Sequence, residues 1–241
     1  MRAFLILAIS FVLSACATVG TERVAKLDSN ARIAPLSLMG TTLSIRGIGT
    51  TVFQNARAVA EVPDWEIDKH AESVAAKVLA DFKRLAVLHP DTSRFHSTIK
   101  PIVGSIAVGT KFESGADSIV VFAKEANADV VLVLLPIVYG DPYFGTNQAF
   151  SGYGIYERGF LGTKNAVNYV TMRVAVFDGK TGEEIARTSG YISDRRPASD
   201  WMEFENLVMS DQNRTTTQQS INRLIGELLT RLLSDMKLGP M

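Results

Sequence analysis

Ala128-Asp129-Val130-Val131-Leu132-Val133-Leu134-Leu135 is the most apolar run of the chain beyond its first sixteen residues. From Val130 onward no polar residue alternates with the aliphatic ones, so a strand here has two apolar faces and needs cover on both. That is the habit of a sheet with layers on either side, and it puts this strand at the sheet's centre. Pro136 brings no amide donor and so marks the end of central pairing or a bulge. Immediately upstream, Ser114 to Ala126 reads as a short helix, with Ile119, Phe122, Ala123 and Ala126 inward and Ser118, Lys124 and Glu125 outward. A helix feeding a strand buried on both faces predicts an α/β fold: a mixed sheet around one central hydrophobic strand, with helices packed on it.

The regular segments downstream agree with that reading. Val167 to Asp178 alternates, with Val170, Met172, Val174 and Val176 on one side and Tyr169, Thr171, Arg173 and Phe177 on the other. Asp178-Gly179-Lys180-Thr181-Gly182 then makes a tight hairpin turn, Gly182 supplying a left-handed residue, and Glu183 to Ile192 returns as the partner strand. Ile221, Leu224, Ile225, Leu228, Leu229, Leu232 and Leu233 recur at helical spacing against Asn222, Arg223, Glu227, Thr230 and Arg231. A stripe of that width predicts a C-terminal amphipathic helix docked on the sheet.

Upstream of the centre the signals are looser. Leu36 to Gln54 mixes aliphatic residues with Thr and Ser and is broken by Gly40, Gly47 and Gly49, which suits one long bent strand or a hairpin. Pro63-Asp64 sets up a helix with Asp64 as its N-cap, carrying Trp65, Ile67, Ala71, Val74, Val78, Phe82 and Leu85 inward. His89 and His96 lie in a polar loop with Asp91 between them. A metal site and a pair of solvated loop histidines are both open there, although no third ligand stands at a suitable spacing, and no metal is assigned. Ile99 to Val108 is apolar and punctuated by Pro and Gly, and is read as a further strand.

Residues 140–163 are the most individual stretch, with six glycines and six aromatics between Gly140 and Gly162 and no clear period. Loops of this length in compact domains are usually functional or disordered, and aromatic content argues against disorder. Aromatics bring large contact area at small entropic cost, so Asp141, Tyr143, Phe144, Asn147, Tyr153, Tyr156 and Arg158 form a candidate binding surface for a protein or a glycan. The alternative is a self-packed loop or irregular hairpin that covers the end of the sheet.

Composition sets the remaining bounds. The 241 residues are 46% hydrophobic and 21% charged, with 25 Lys and Arg against 25 Asp and Glu. A balanced chain of this kind is globular, and it has no long-range field favouring nucleic acid. Arg2, an apolar run from Ala3 to Val12, and small residues before Cys16 have the form of a cleaved secretion signal. The run is shorter than the roughly 20 residues that a spanning helix needs. Cys16 is the only cysteine, so the body carries no intrachain disulfide and holds together by packing. Ala17 to Pro35 is polar without a sustained apolar period and reads as a tether. The expected organisation is a signal peptide at 1–15, a modified cysteine and tether at 16–35, and a single α/β domain at 36–241.

Leu13-Ser14-Ala15-Cys16 resembles the lipobox of bacterial lipoproteins. The resemblance implies a diacylglyceryl thioether on Cys16, cleavage before it and acylation of the freed amine, the covalent lipid standing in place of any cofactor. It also implies that Ala17, where Asp would favour retention in the inner membrane, directs the protein to the periplasmic face of the outer membrane. The lipobox, the helix leading into Ala-Asp-Val-Val-Leu-Val, the alternating strand and the Asp-Gly-Lys-Thr-Gly-Glu hairpin together look like the periplasmic lipoproteins related to the curli-secretion lipoprotein and the amino-terminal domain of TolB. That likeness spans about Leu36 to Met236. It implies an envelope assembly or export module, often oligomeric, with no catalytic residues to transfer.

Enzyme motifs are missing from the sequence: there is no Gly-x-Ser-x-Gly elbow, no His-Glu-x-x-His, no Walker loop and no Cys pair. Three functional readings follow. The first is a non-catalytic binding or assembly module, bound to the bilayer through acylated Cys16 and meeting an envelope protein or a second copy through the aromatic loop. The second is a periplasmic hydrolase or glycan-binding protein using Asp141 or Glu157 of the same loop. The third is a structural subunit of a ring or complex.

Overall fold

In the computed structural model, the strand Val130–Pro136 has its first six residues buried, with layers on both sides. The structure describes residues 18–28, 30–50, 55–81, 85–105, 107–160, 163–197 and 210–239. The first half of the chain gives β1 (Thr18–Val19), α1 (Thr21–Val24), β2 (Arg32–Ser37), β3 (Thr42–Ile48), β4 (Ala56–Glu61), α2 (Ile67–Asp81), β5 (Ala86–Val87) and α3 (Phe95–Thr98). The second half gives α4 (Asp117–Ala126), β6 (Val130–Pro136), β7 (Tyr139–Gly140), β8 (Ala149–Phe150), β9 (Gly152–Phe160), β10 (Thr163–Asp178), β11 (Glu184–Arg195) and α5 (Asp211–Asp235). This is the α/β fold expected, with a mixed sheet and a C-terminal amphipathic helix.

β10 organises the sheet, because its sixteen residues serve three neighbours. β11 runs antiparallel along one edge, from Val167 opposite Arg195 to Phe177 opposite Glu184. The other edge is shared end to end by two strands: β9 lies against Thr163 to Thr171 and β6 against Met172 to Asp178. Pro136 therefore faces Met172 while Gly152 faces the adjacent Thr171, so β6 and β9 continue one line from which residues 137–151 depart and to which they return. β2 and β3 form a second broken line beside it, β2 parallel to β6 and β3 parallel to β9. The long bent strand expected from Leu36 onward is this line, entered at Arg32 and interrupted at residues 38–41. β4 and β5 finish the two outer ends.

Two covers close the sheet. Leu132, Leu134, Val170, Met172, Val174 and Val176 lie under α2 and α5, which contribute Ile67, Ala71, Ala75 and Leu79 and the whole stripe from Ile221 to Leu233. Ser210 caps α5, its hydroxyl accepting from the Asn213 amide at 3.2 Å. On the opposite face Val131, Val133, Leu135, Ala175 and Phe177 meet Ile119, Phe122 and Ala123 of α4 with Phe95 and Phe112. The outward side of β10 is thus as buried as its inward side. Among the described residues no helix is long and apolar enough to cross a membrane.

Four expectations need correction. The described part of the tether expected at 16–35 does not stay outside the fold: β1 pairs with β11, Val24 joins the core, and β2 is an inner strand. The segment looked polar because the residues that enter the fold are few and separated by charged ones. Asp64 is not an N-cap: Pro63–Trp65 form a 3-10 turn, Glu66 takes φ 47° and the helix begins only at Ile67, which lets Trp65 turn into the core. Asp64 instead pairs with Arg214 of α5. Ile99 to Val108 makes no strand and contributes only single bridges at Pro101 and Ser105. The fourth correction concerns the aromatic loop and follows below. Phe82, the signal peptide and Cys16 lie outside the described residues.

Candidate functional site

Residues 137–151 leave the sheet line at Pro136 and fold back over the half of β10 that α4 does not reach. Tyr156 of β9 and Val167 and Tyr169 of β10 present an apolar face there, and Tyr143, Phe144 and Phe150 cover it. The rings meet mostly edge to face or tilted, Tyr143 to Phe150 at 5.6 Å, Phe144 to Tyr156 at 4.9 Å and Phe150 to Tyr169 at 5.2 Å between centroids. β7 and β8 zip the base of this excursion, and the chain rejoins the sheet through Gly152, whose φ of 70° only glycine adopts without strain. The loop is self-packed, the second of the two forms its sequence allowed.

Asp141 holds the tip together. Its carboxylate accepts from the amides of Tyr143 (2.8 Å), Phe144 (3.0 Å) and Thr146 (3.0 Å), from the Thr146 hydroxyl (2.6 Å) and from the Tyr156 hydroxyl (3.1 Å). Burial works to raise its pKa, but the Thr146 hydroxyl and the three amides outweigh burial and leave it below the ordinary carboxylate value. A carboxylate held ionised and so fully donated to is a structural acceptor with no proton to give. Tyr156, wholly buried, has its phenol pushed up to about 12, chiefly by burial.

The seven residues read as a binding surface do not form one. Tyr153 points to the other side of the sheet, into the core under the helices, and donates to the Gly40 carbonyl at 2.8 Å. Neighbouring strand residues alternate faces, so Tyr153 and Tyr156 are divided by the sheet itself. Tyr143 and Phe144 are half-buried roofing, and Arg158 donates to the Phe144 carbonyl at 2.8 Å. Asn147 alone of the seven is exposed. Arg46 of β3 braces the loop from the side, its guanidinium 5.0 Å from the Phe150 ring centre and bonded to the Ala149 carbonyl.

A second polar cluster joins α2 to the break between β2 and β3. Asp68, buried, accepts from the Ser37 hydroxyl at 2.6 Å and the Met39 amide at 2.7 Å. One turn on, Glu72 accepts from the Ser37 amide (2.8 Å) and the Thr92 hydroxyl (2.8 Å) and meets His96 Nε2 at 2.9 Å. Burial raises the Asp68 pKa, and the hydrogen bond to Glu72 raises that of His96. The Asp68 and Glu72 spacing was visible in the sequence as one helix face, but their partners are 20 to 35 residues distant. His96 turns inward to Glu72 while His89 stays exposed, so the two loop histidines do not converge. Among the described residues no group of three or more His, Cys, Asp or Glu side chains is placed to hold a metal ion.

These features define an α/β domain with a mixed sheet covered on both faces. No family model matches the chain, and no curated protein matches it at a significant level. Similar solved structures include the PelC dodecamer from Paraburkholderia phytofirmans, 12% identical over 89% of this chain and 92% of that one, with a TM-score of 0.36. The LpoB C-terminal domain from Salmonella enterica is 9% identical over 69% and 85%, with a TM-score of 0.31. Lipoprotein GNA1162 from Neisseria meningitidis is 15% identical over 80% and 96%, with a TM-score of 0.31. Overlaps this slight transfer no role to the chain.

Proposed function

We propose that this chain is a lipid-anchored protein of the periplasmic face of the outer membrane, whose body acts by contact as a non-catalytic binding or assembly module of the cell envelope. The observation that carries the reading is the sequence itself: Arg2, the apolar run Ala3 to Val12 and Leu13-Ser14-Ala15-Cys16 have the form of a cleaved signal ending at a cysteine, a few residues upstream of β1. Cleavage before Cys16 would leave its sulfur and its freed amine as the points of attachment to a membrane. Two further features support it. The chain has no second cysteine to pair with Cys16, and of the two carboxylates that the loop offered to a hydrolase Asp141 is saturated by the loop's own donors and Glu157 is buried in β9.

Acyl chains contribute about 0.8 kcal/mol per buried CH₂, so several of them make attachment effectively permanent. Growth with radiolabelled palmitate is expected to label the wild-type protein and bring it into the outer-membrane fraction. Cys16→Ser is expected to lose both. Equal labelling and equal fractionation of the two proteins would overturn the anchor. A photo-crosslinking residue at the exposed Asn147 position tests the contact role, with one discrete adduct in intact cells as the expected result.

A further inference from the structure

Residues 100–105 and 107–113 pass over the same face of the sheet as α4, away from the α2 and α5 layer, and they are bonded to it and to each other. Arg173 of β10, almost wholly buried, donates to the Val108 carbonyl at 2.7 Å and the Ser105 carbonyl at 3.1 Å. The Ile102 amide donates to the Lys111 carbonyl and the Glu113 amide to the Lys100 carbonyl, so the segment closes on itself. Ile102, Val103 and Val108 nevertheless stand out into solvent, at 51%, 42% and 45% exposure. Val19 of β1 is exposed to the same degree, at 44%.

Val19 and this segment lie on the same side of the sheet. Val19 is opposite Arg187 in the β1 and β11 register, and Arg187 is opposite Ala175 of the α4-side core. Directly paired residues of antiparallel strands point the same way. Gly109 lies against the Arg187 guanidinium, where an added Cβ would come within 3.6 Å of it, so the rim of the 100–113 segment adjoins Val19. Two residues, Ala17 and Thr18, separate Cys16 from Val19, three steps of chain with a reach of about 11 Å when fully extended. An anchor at Cys16 would therefore be held within that reach of Val19 and the apolar rim.

We infer that this corner lies against the bilayer, with Val19, Ile102, Val103 and Val108 entering the headgroup and acyl boundary and Lys100 and Lys111 meeting lipid phosphates. The inference rests on the anchor proposed above and adds the orientation of the body upon it. Apolar side chains flanked by exposed lysines suit an interface where one part of each residue is greasy and the next is wet. A connection this short also leaves the domain no room to stand off the membrane. With the acyl chains already holding the protein in place, the rim has only to set its orientation.

Because the lipid consumes Cys16, a cysteine introduced elsewhere is the only free thiol of the lipidated full-length protein. Ile102→Cys and, on the opposite layer, Lys77→Cys are each labelled with an environment-sensitive fluorophore and placed on phosphatidylethanolamine and phosphatidylglycerol vesicles. The label at 102 is expected to shift to the blue and to be quenched by shallow nitroxide lipids, while that at 77 keeps its emission in water. Protein that floats with the vesicles but leaves both labels equally wet overturns the orientation and spares the anchor. Protein that does not float overturns both. A blue shift at 102 that needs no vesicles and follows protein concentration assigns the rim to a second copy, and overturns the inference as well.

Discussion

Asp141 accepts four hydrogen bonds from its own loop and a fifth from Tyr156 of β9, and replacing it tests what the aromatic stretch is for. In Asp141→Asn one oxygen becomes an amide that faces the Thr146 and Tyr156 donors with hydrogens of its own. Leaving such donors unpaired costs about 1–3 kcal/mol. For a chain of this size that is a fall in melting temperature of about 2–4 °C per kcal/mol, with Tyr143 fluorescence becoming more solvent-exposed in step. His96 gives a prediction in pH. Its folded pKa is raised above 6.5 by Glu72, so the stability it contributes is fully present below the unfolded value and is lost as pH rises through the folded one. Urea midpoints of the wild type are expected to decline on that upward path, and those of His96→Gln to stay level over it. Asp68 acts in its own, acidic window: burial raises its folded pKa, so whatever its protonated form contributes is present below about 3.9 and disappears as pH climbs past the folded value.

β10 shows at the level of elements what the sequence could and could not disclose. Its alternation, the Asp178 to Gly182 turn and the α5 stripe are local patterns, and each was legible because a period of 2 or 3.6 is written in consecutive residues. The buried run at Val130 to Leu135 was legible for the opposite reason, an unbroken apolar stretch with no period at all. What stayed hidden is pairing across long separations: nothing near Arg32 announces that it lies beside Asp129, to which it binds with two nitrogens at 2.9 and 3.0 Å. Nor does the stretch around Tyr153 reveal that it resumes the line left at Pro136, and without that register Tyr153 and Tyr156 look like neighbours on one surface. Gly154 tests the register directly. It sits between Ser44 and Tyr169, and a Cβ there would run into the Ser44 carbonyl oxygen and stand 2.8 Å from the Tyr169 hydroxyl. Gly154→Ala is expected to loosen β3 and β4, so that amide exchange quickens over 42–48 and 56–61 while 130–135 keeps its protection. Uniform protection over both would contradict the pairing.

At the scale of the whole molecule the open question is where the body starts, and the answer fixes how far it stands from a membrane. A polar tether before Leu36 would let the domain drift; a fold that already holds Thr18 and Val19 in its sheet keeps it close. β1 lies along β11, Gly20 turns with φ 82° so tightly against Ile185 and Ala186 that a side chain would collide with the Ile185 carbonyl, and Val24 is buried in the main core. Removing residues 17–25 from the soluble body should therefore cost stability, with the loss of Val24 burial alone worth about 1.5–3 kcal/mol. The cut also bares the β11 edge, whose free amides and carbonyls invite pairing with another chain. The comparison is between a body starting at Ala17 and one starting at Lys26, each followed by thermal denaturation and by size at rising concentration. The shorter body is expected to melt several degrees lower and to associate as it is concentrated, while the longer one does neither. Equal melting and equal size would return residues 17–25 to the role of a tether, and with it the freedom of the body to leave the membrane surface.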